Sequence, residues 1–224
     1  MTPSTITPME ILSETWAYIV ENQDRVRDAL MVHISLSVAA LLLAMLIFIP
    51  LGVAAARGGP LTTSIIGVVA AFRVVPSLAV ILLLLPVFGL GWRPALVALT
   101  VLAGPPLVLN TDAGIRGVDP ATLEAATGLG LTNRQRFWRV TLPLALPVII
   151  AGIRTAAVEI IASATLASFV GAGGLGDFIT SGVTLLDERT LLTGGILVTL
   201  LALSTELGLS LLERRVASSR TNHA

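Results

Sequence analysis

An unbroken run of 28 uncharged residues, from Ala29 to Ala56, constrains this fold more than any other feature. A hydrocarbon core about 30 Å thick is crossed by roughly 20 mainly apolar residues in an α-helix. The rest of the sequence follows the same pattern: 54% of its 224 residues are hydrophobic and only 12% are charged. Soluble domains carry about 25% charged residues. The sequence therefore predicts an all-α integral membrane protein.

The spacing of the apolar runs predicts about five transmembrane helices. Their approximate ranges are 31–56, 61–90, 94–115, 144–169 and 190–212. Together they define a transmembrane domain over residues 31–214, preceded by an extracytoplasmic segment, 1–30, and followed by a cytoplasmic tail, 215–224. Residues 10–28 allow two interpretations, a short helix on the outer surface or a loosely ordered terminus.

Arginines in the short loops predict the orientation, because positively charged loops stay in the cytoplasm. The loop after the third span contains Arg116, Arg134, Arg136 and Arg139, and the tail contains Arg214, Arg215 and Arg220. Five spans place both segments on one side. We therefore expect a multi-pass protein of the bacterial inner membrane with its N-terminus outside and its C-terminus in the cytoplasm.

Composition argues against several functions. Fourteen acidic residues balance fourteen basic ones, so net charge gives no indication of a nucleic-acid partner. The chain lacks cysteine, and its two histidines, His33 and His223, are too few to suggest a metal site. It also lacks lysine, which a Walker A nucleotide-binding loop requires. A membrane enzyme would need a polar cluster at one depth, and a secondary transporter would show repeated halves; neither pattern is present.

The polar segment 117–143 has the signals of two short helices. The Asp119-Pro120 pair begins the first, with a carboxylate cap and proline in the first turn. Glycines in the stretch 128–130 end it, and Thr132 with Gln135 forms a capping box for the second. The residues alone leave two interpretations: a cytoplasmic helix pair that docks on a partner, or an interfacial amphipathic loop.

Spacing within this segment resembles a known family. Glu124-Ala125-Ala126, then three residues, then Gly130, then nine residues, then Val140-Thr141-Leu142-Pro143 is similar to the EAA loop of ABC-importer permeases. Val140 stands where that family has isoleucine. The resemblance assigns the following residues to ATPase coupling: Glu124, Ala125, Ala126, Gly130, Leu142 and Pro143.

The resemblance implies a type I importer permease with a cytoplasmic coupling helix. Its partners would be two cytoplasmic ABC ATPases, a second permease copy or a paralogous permease, an extracytoplasmic substrate-binding protein and the lipid bilayer. This chain would bind no cofactor and would not be an enzyme, since ATP and Mg²⁺ would be bound by the ATPases.

Four further segments resemble the osmoprotectant branch of this family. They are residues 73–79, 117–120, 142–156 and 169–177. The resemblance implies import of glycine betaine, choline, carnitine or proline betaine by alternating access. The alternative is an ABC permease for another small solute, such as methionine.

Ionisable residues inside a membrane helix are costly and mark functional sites. Glu159 lies about 18 Å along its helix from Pro147, at 1.5 Å per residue, which is near mid-membrane. With Arg73 and Asn110 it is a candidate for the substrate pathway. Glu159 either lines that pathway and attracts a quaternary ammonium group, or forms an ion pair with Arg73 or with a partner subunit.

The stretch Gly171-Ala-Gly-Gly-Leu-Gly176 contains a G-x-G-x-x-G pattern. A nucleotide-binding loop of this type follows a β-strand, whereas this one follows a membrane helix. Gly171, Gly173, Gly174 and Gly176 are therefore expected either to contribute to an outer gate or to end the helix in a tight turn.

Overall fold

The computed structural model describes residues 7–218, in which all the regular secondary structure is helical. The helices are α1 (Pro8–Glu21), α2 (Gln23–Ala55), α3 (Pro60–Phe72), α4 (Ser77–Leu83), α5 (Leu85–Phe88), α6 (Trp92–Leu102), α7 (Gly104–Arg116), α8 (Pro120–Gly128), α9 (Asn133–Arg136), α10 (Leu142–Ala164), α11 (Gly176–Leu185) and α12 (Glu188–Ser218). A π-helical turn, Phe137–Thr141, joins α9 to α10, and a 3₁₀ segment, Thr165–Val170, follows α10.

Four helical runs are long and apolar enough to cross a membrane. They are Gln23–Ala55, Trp92–Arg116, Asn133–Val170 and Glu188–Val216. A bent pair, Thr62–Phe72 with Ser77–Phe88, makes five if it counts as one span. The predicted all-α fold with about five transmembrane helices is confirmed.

The helices are more interrupted than the apolar runs suggest. The run 61–90 is divided at residues 73–76, where Pro76 disfavours helical geometry in the residue before it. The run 94–115 is divided at Ala103, and α7 begins with Gly104 and two prolines. Proline is tolerated in a first helical turn because the amides there have no intrahelical acceptor.

Both ends of the chain are helical within the described residues. Residues 10–28 contain most of α1 and the start of α2, separated at Asn22. Helix α12 extends six residues beyond the predicted span, to Ser218. The tail residues Arg220 and His223 lie outside the described residues.

The chain divides into two compact units, which we describe separately. The first unit consists of residues 1–40, 77–99 and 160–203, and the second consists of residues 41–76, 100–159 and 204–224. The first contains the glycine-rich turn, and the second contains the loop between α7 and α10.

Small residues allow close helix packing in the second unit. A Cβ atom added to Gly52 of α2 would lie 2.6 Å from Cβ of Thr111 in α7. A Cβ added to Gly114 of α7 would lie 3.0 Å from the carbonyl oxygen of Ala145 in α10. Small residues are typical of membrane helix interfaces, where backbones approach closely.

A buried histidine links two helices of the first unit. His33 of α2 is 1% exposed, and its Nε2 lies 3.1 Å from the carbonyl oxygen of Ile161 in α10. Nε2 must carry the proton to make this hydrogen bond, because a carbonyl can only accept. A Cβ added to Gly174 would lie 3.2 Å from Nδ1 of the same ring. His33 therefore positions both α10 and the glycine-rich turn against α2.

Candidate coupling loop and membrane pathway

Helix α8 begins as its sequence predicts. The Asp119 carboxylate accepts a hydrogen bond from the Ala121 amide at 3.0 Å, and Pro120 occupies the first turn. Along this helix Glu124 and Ala125 are exposed, whereas Ala126 is 6% exposed. The three residues therefore have different surroundings: Ala126 packs within its own chain, and Glu124 and Ala125 face outward.

Gly130 allows the chain to reverse after α8. Its φ is +80°, in the left-handed region that side chains rarely adopt. The Gly130 amide donates to the Thr127 carbonyl at 2.9 Å, and the Leu131 amide donates to the Ala126 carbonyl at 3.2 Å. No atom lies within 4 Å of a Cβ added at Gly130. Backbone conformation, rather than space, therefore favours glycine here.

The predicted capping box at the start of α9 is confirmed. The Gln135 amide donates to Thr132 Oγ1 at 3.3 Å, and the Thr132 amide donates to Gln135 Oε1 at 2.9 Å. Arg136 then donates from a guanidinium nitrogen to Thr127 Oγ1 at 2.9 Å. This bond connects α9 to α8.

A shallow cleft lies between the two loop helices. It has a volume of about 430 Å³, and its lining residues are Pro120, Leu123, Glu124, Thr127, Gly128 and Arg136. An exposed carboxylate and a guanidinium group thus border one depression. Such an arrangement can accept charge-assisted hydrogen bonds from a partner and donate them to it.

The loop enters the membrane through the π-helical turn. The Leu142 amide donates to the carbonyl of Phe137, five residues earlier. Pro143 has no amide to donate to Arg139, the acceptor that a continuous α-helix would require. Leu142 and Pro143 are half-buried at the start of α10. The apolar pattern does not predict this π-helical turn, and Pro143 is the residue that signals it.

The structure places Asn110 in a helix contact. Its side-chain nitrogen donates to the Pro106 carbonyl at 2.8 Å. A Cβ added to Gly152 of α10 would lie 2.6 Å from Asn110 Cβ. Asn110 therefore lies where α7 packs tightly against α10.

Glu159 and Arg73 are both exposed in the chain. Arg73 attracts Glu159 electrostatically, but within residues 7–218 they form no ion pair shorter than 4.0 Å. Both side chains thus retain space for a further partner.

Arg154 has acidic partners that sequence analysis missed. Its guanidinium lies 3.0 Å from Glu206 and 3.5 Å from Glu213, both on α12. The two glutamates are seven residues apart, which is about two turns, so they share one face of the helix. That spacing was the only available signal, and it did not indicate which cation would pair with them.

The four glycines of the predicted turn have distinct roles in the first unit. Gly171, Gly173 and Gly174 have φ of +71°, +79° and +95°. Gly176 begins α11, where a side chain would collide with the backbone of Thr165. The segment therefore ends the 3₁₀ helix and starts α11 in a turn where backbone conformation favours glycine at 171, 173 and 174, and lack of space favours it at 176.

Arg25 links the start of α11 to the start of α2. Its guanidinium lies 4.8 Å from the centre of the Phe178 ring, within range of a cation–π interaction. Burial raises the pKa of Asp177, and the nearby Arg25 charge partly opposes that rise. Among residues 7–218, no three His, Asp or Glu side chains meet as metal ligands.

Comparison with known proteins identifies the family. Residues 48–218 match the family described as the inner membrane component of binding-protein-dependent transport systems. This chain belongs to that family. The permease is 42% identical over 192 residues to the carnitine transport permease protein OpuCB of Listeria monocytogenes, covering 86% of this chain and 88% of the relative. It is 42% identical over 184 residues to the choline transport system permease protein OpuBB of Bacillus subtilis, covering 82% and 85%.

Two more comparisons agree. The permease is 40% identical over 184 residues to the glycine betaine/carnitine/choline permease protein OpuCB of Bacillus subtilis, covering 82% of this chain and 85% of that one. Its fold matches a chain of the inward-facing MetNI methionine ABC transporter with a TM-score of 0.79, covering 87% and 97% at 21% identity. The resemblance to ABC-importer permeases is confirmed, and so is the type I permease fold.

Proposed function

We propose that this permease imports an osmoprotectant (glycine betaine, choline, carnitine or proline betaine) by alternating access driven by partner ATPases. The proposed substrate class rests on the names of its relatives. The relatives that are 40–42% identical over more than four-fifths of this chain are named for carnitine, choline and glycine betaine transport. The methionine transporter matches at 21% identity, which supports the fold and not the solute.

The loop between α7 and α10 is the docking site for the ATPases in this proposal. Helix α8 presents Glu124 and Ala125 outward, while Ala126 anchors it to its own chain. The small Ala125 side chain lets a partner surface approach the helix closely. Glu124 supplies a carboxylate that can accept charge-assisted hydrogen bonds.

Firm attachment of α8 suits it to transmit force. The Arg136–Thr127 hydrogen bond holds α8 to α9, which continues through the π turn into α10. Movement of a docked ATPase would thus reach a membrane helix with little slack. We infer two ATPases, a second permease copy or a paralog, and an external binding protein as partners, with this loop and the C-terminus in the cytoplasm. Nucleotide and Mg²⁺ bind to the ATPases in this scheme.

Glu159 is the proposed pathway residue. Its carboxylate is exposed and has no ion pair within 4.0 Å among residues 7–218. A quaternary ammonium group carries a positive charge but no N–H donor, so a carboxylate can attract it without binding it tightly. Arg73 and Asn110 complete the candidate set. The glycines 171–176 are the proposed outer gate.

Uptake by the reconstituted importer tests the coupling role. We expect Glu124→Arg or Gly130→Asp to abolish ATP-driven uptake of labelled glycine betaine while the permease still inserts into membranes. Glu14→Arg is the matched control, because it reverses an exposed helical glutamate outside the loop and should leave uptake unchanged. Full uptake and normal ATPase association in the loop variants would refute the proposed coupling.

The substrate class has its own test. Calorimetry with the external binding protein, followed by competition in the uptake assay, should favour betaines, carnitine or choline over methionine. Transport of methionine alone would support the alternative solute.

A further inference from the structure

A second and larger groove lies in the same unit as the coupling loop. It encloses about 950 Å³ between the end of α2, the end of α7, and the run from α9 through the π turn. The groove shares Leu142 with the proposed coupling residues, but Glu124, Ala125 and Gly130 do not line it. Its walls include Ile49 and Val53 of α2. It therefore needs a separate explanation.

Positive charge is concentrated at this groove. Arg57, Arg134 and Arg136 line it, and none of its lining residues is acidic. Arg136 donates to Thr127. Arg57 and Arg134 form no ion pair shorter than 4.0 Å with any of residues 7–218. The groove thus presents two uncompensated guanidinium groups, which favour an anion that can accept several hydrogen bonds, such as a phosphate.

The remaining lining is apolar. Phe137 and Trp138 contact each other edge to face, with ring centres 5.4 Å apart. Trp138 is 60% exposed beside the groove, and tryptophan favours the boundary between membrane and water. Helix α2, a predicted span, ends at Ala55, two residues before Arg57. The groove therefore combines cations with an apolar wall at the depth where lipid headgroups lie.

We propose that this groove binds one anionic phospholipid of the cytoplasmic leaflet. Arg57 and Arg134 would bind its phosphate, and an acyl chain would lie along Ile49, Val53 and Trp138. Charge complementarity and the apolar wall together select a phospholipid, because a small soluble anion would leave the wall exposed. The choice of leaflet rests on the orientation in the proposed function.

Trp138 provides a direct reporter of lipid contact. The other two tryptophans are Trp16 and Trp92, and Trp16→Phe with Trp92→Phe leaves Trp138 as the single tryptophan. The full-length permease is reconstituted into vesicles that contain brominated phosphatidylglycerol or brominated phosphatidylcholine, since bromine quenches tryptophan fluorescence only at short range. We expect the anionic lipid to reach half-maximal quenching at a much lower mole fraction than the zwitterionic lipid.

Arginine variants test the binding residues. Arg57→Gln and Arg134→Gln should each lower the preference for the anionic lipid about fivefold, the loss expected for one arginine near a membrane surface. Arg139→Gln is the matched control, because Arg139 adjoins Trp138 but does not line the groove. Circular dichroism of each variant verifies its helix content.

Three results would overturn the proposal. One is equal quenching by the two lipids. Another is an equal loss of preference in Arg139→Gln, which would indicate a general surface charge. A third is loss of quenching when the ATPase subunits are added, which would assign the groove to the ATPase interface. Because the assay measures lipid contact and not uptake, its failure is distinguishable from failure of the coupling role.

Discussion

Close contact between α7 and α10 makes Gly152 a sensitive position. A Cβ added to Gly152 lies 2.6 Å from Cβ of Asn110 and 3.0 Å from the carbonyl oxygen of Pro106. Optimal separation between non-bonded carbon atoms is about 3.5–4.0 Å. The Gly152→Ala substitution therefore requires α7 and α10 to move apart by roughly 1 Å. Asn110 Cβ and the Pro106 carbonyl oxygen lie at or next to the backbone of α7, so no side-chain rotation can relieve these contacts.

We expect Gly152→Ala to lower the free energy of unfolding by about 1–3 kcal/mol, the usual cost of overpacking. Gly208→Ala is the matched control in the same unit, because no atom lies within 4 Å of a Cβ added at Gly208. That substitution should raise stability by roughly 0.5–1 kcal/mol, since alanine restricts the unfolded chain and favours helix. The two variants add the same methyl group and should shift stability in opposite directions.

A detergent-titration unfolding curve, followed by circular dichroism on the purified importer, measures both shifts. Equal effects of the two alanines would refute the packing argument. A stabilised Gly152→Ala variant would show that α7 and α10 have room that the contact distances exclude.

Three further predictions concern the ionisable groups. Glu159→Gln should lower uptake of quaternary ammonium solutes with little change in the unfolding midpoint; normal uptake with reduced stability would instead support a structural ion pair. Arg154→Gln should destabilise the permease, because it leaves two glutamates of α12 without their cation, and adding Glu206→Gln should restore part of the loss; no rescue in the unfolding assay would contradict this pairing. Burial raises the folded-state pKa of Asp177, so the folded protein binds the proton more readily and stability falls as pH rises through and above the ordinary aspartate range. Asp177→Asn should abolish this pH-dependent loss of stability in unfolding midpoints measured from pH 4 to 7. Arg25→Gln should shift the loss to higher pH.

Local sequence signals predicted the loop well. Each cap depends on residues within three positions of each other, as with Asp119 and Ala121 or Thr132 and Gln135. The left-handed conformation of Gly130 likewise follows from one residue type at a helix end. Such features depend on neighbouring residues, and a single sequence therefore contains the information.

Long-range contacts were not predictable in the same way. Arg154 is 52 residues from Glu206, and several other acidic residues were possible partners for that arginine. His33 bonds to a backbone carbonyl 128 residues away, a contact that no side-chain pattern encodes. Pro76 and the Gly104-Pro105-Pro106 stretch cause the interruptions in the second and third apolar runs. A count of hydrophobic residues alone does not predict these interruptions.

Residues 125 and 126 are both alanine, but their surroundings differ. Ala126 is enclosed by its own fold, so a larger residue there would disturb packing within the permease even before a partner binds. Ala125 is exposed in its own chain, so a larger residue there would matter only where a partner packs against it. If α8 docks an ATPase as proposed, position 125 should vary together with the ATPase surface, whereas position 126 should stay small whichever ATPase binds. Under the proposed coupling role, a related permease could pair with a different ATPase through changes on the outward side of α8 alone.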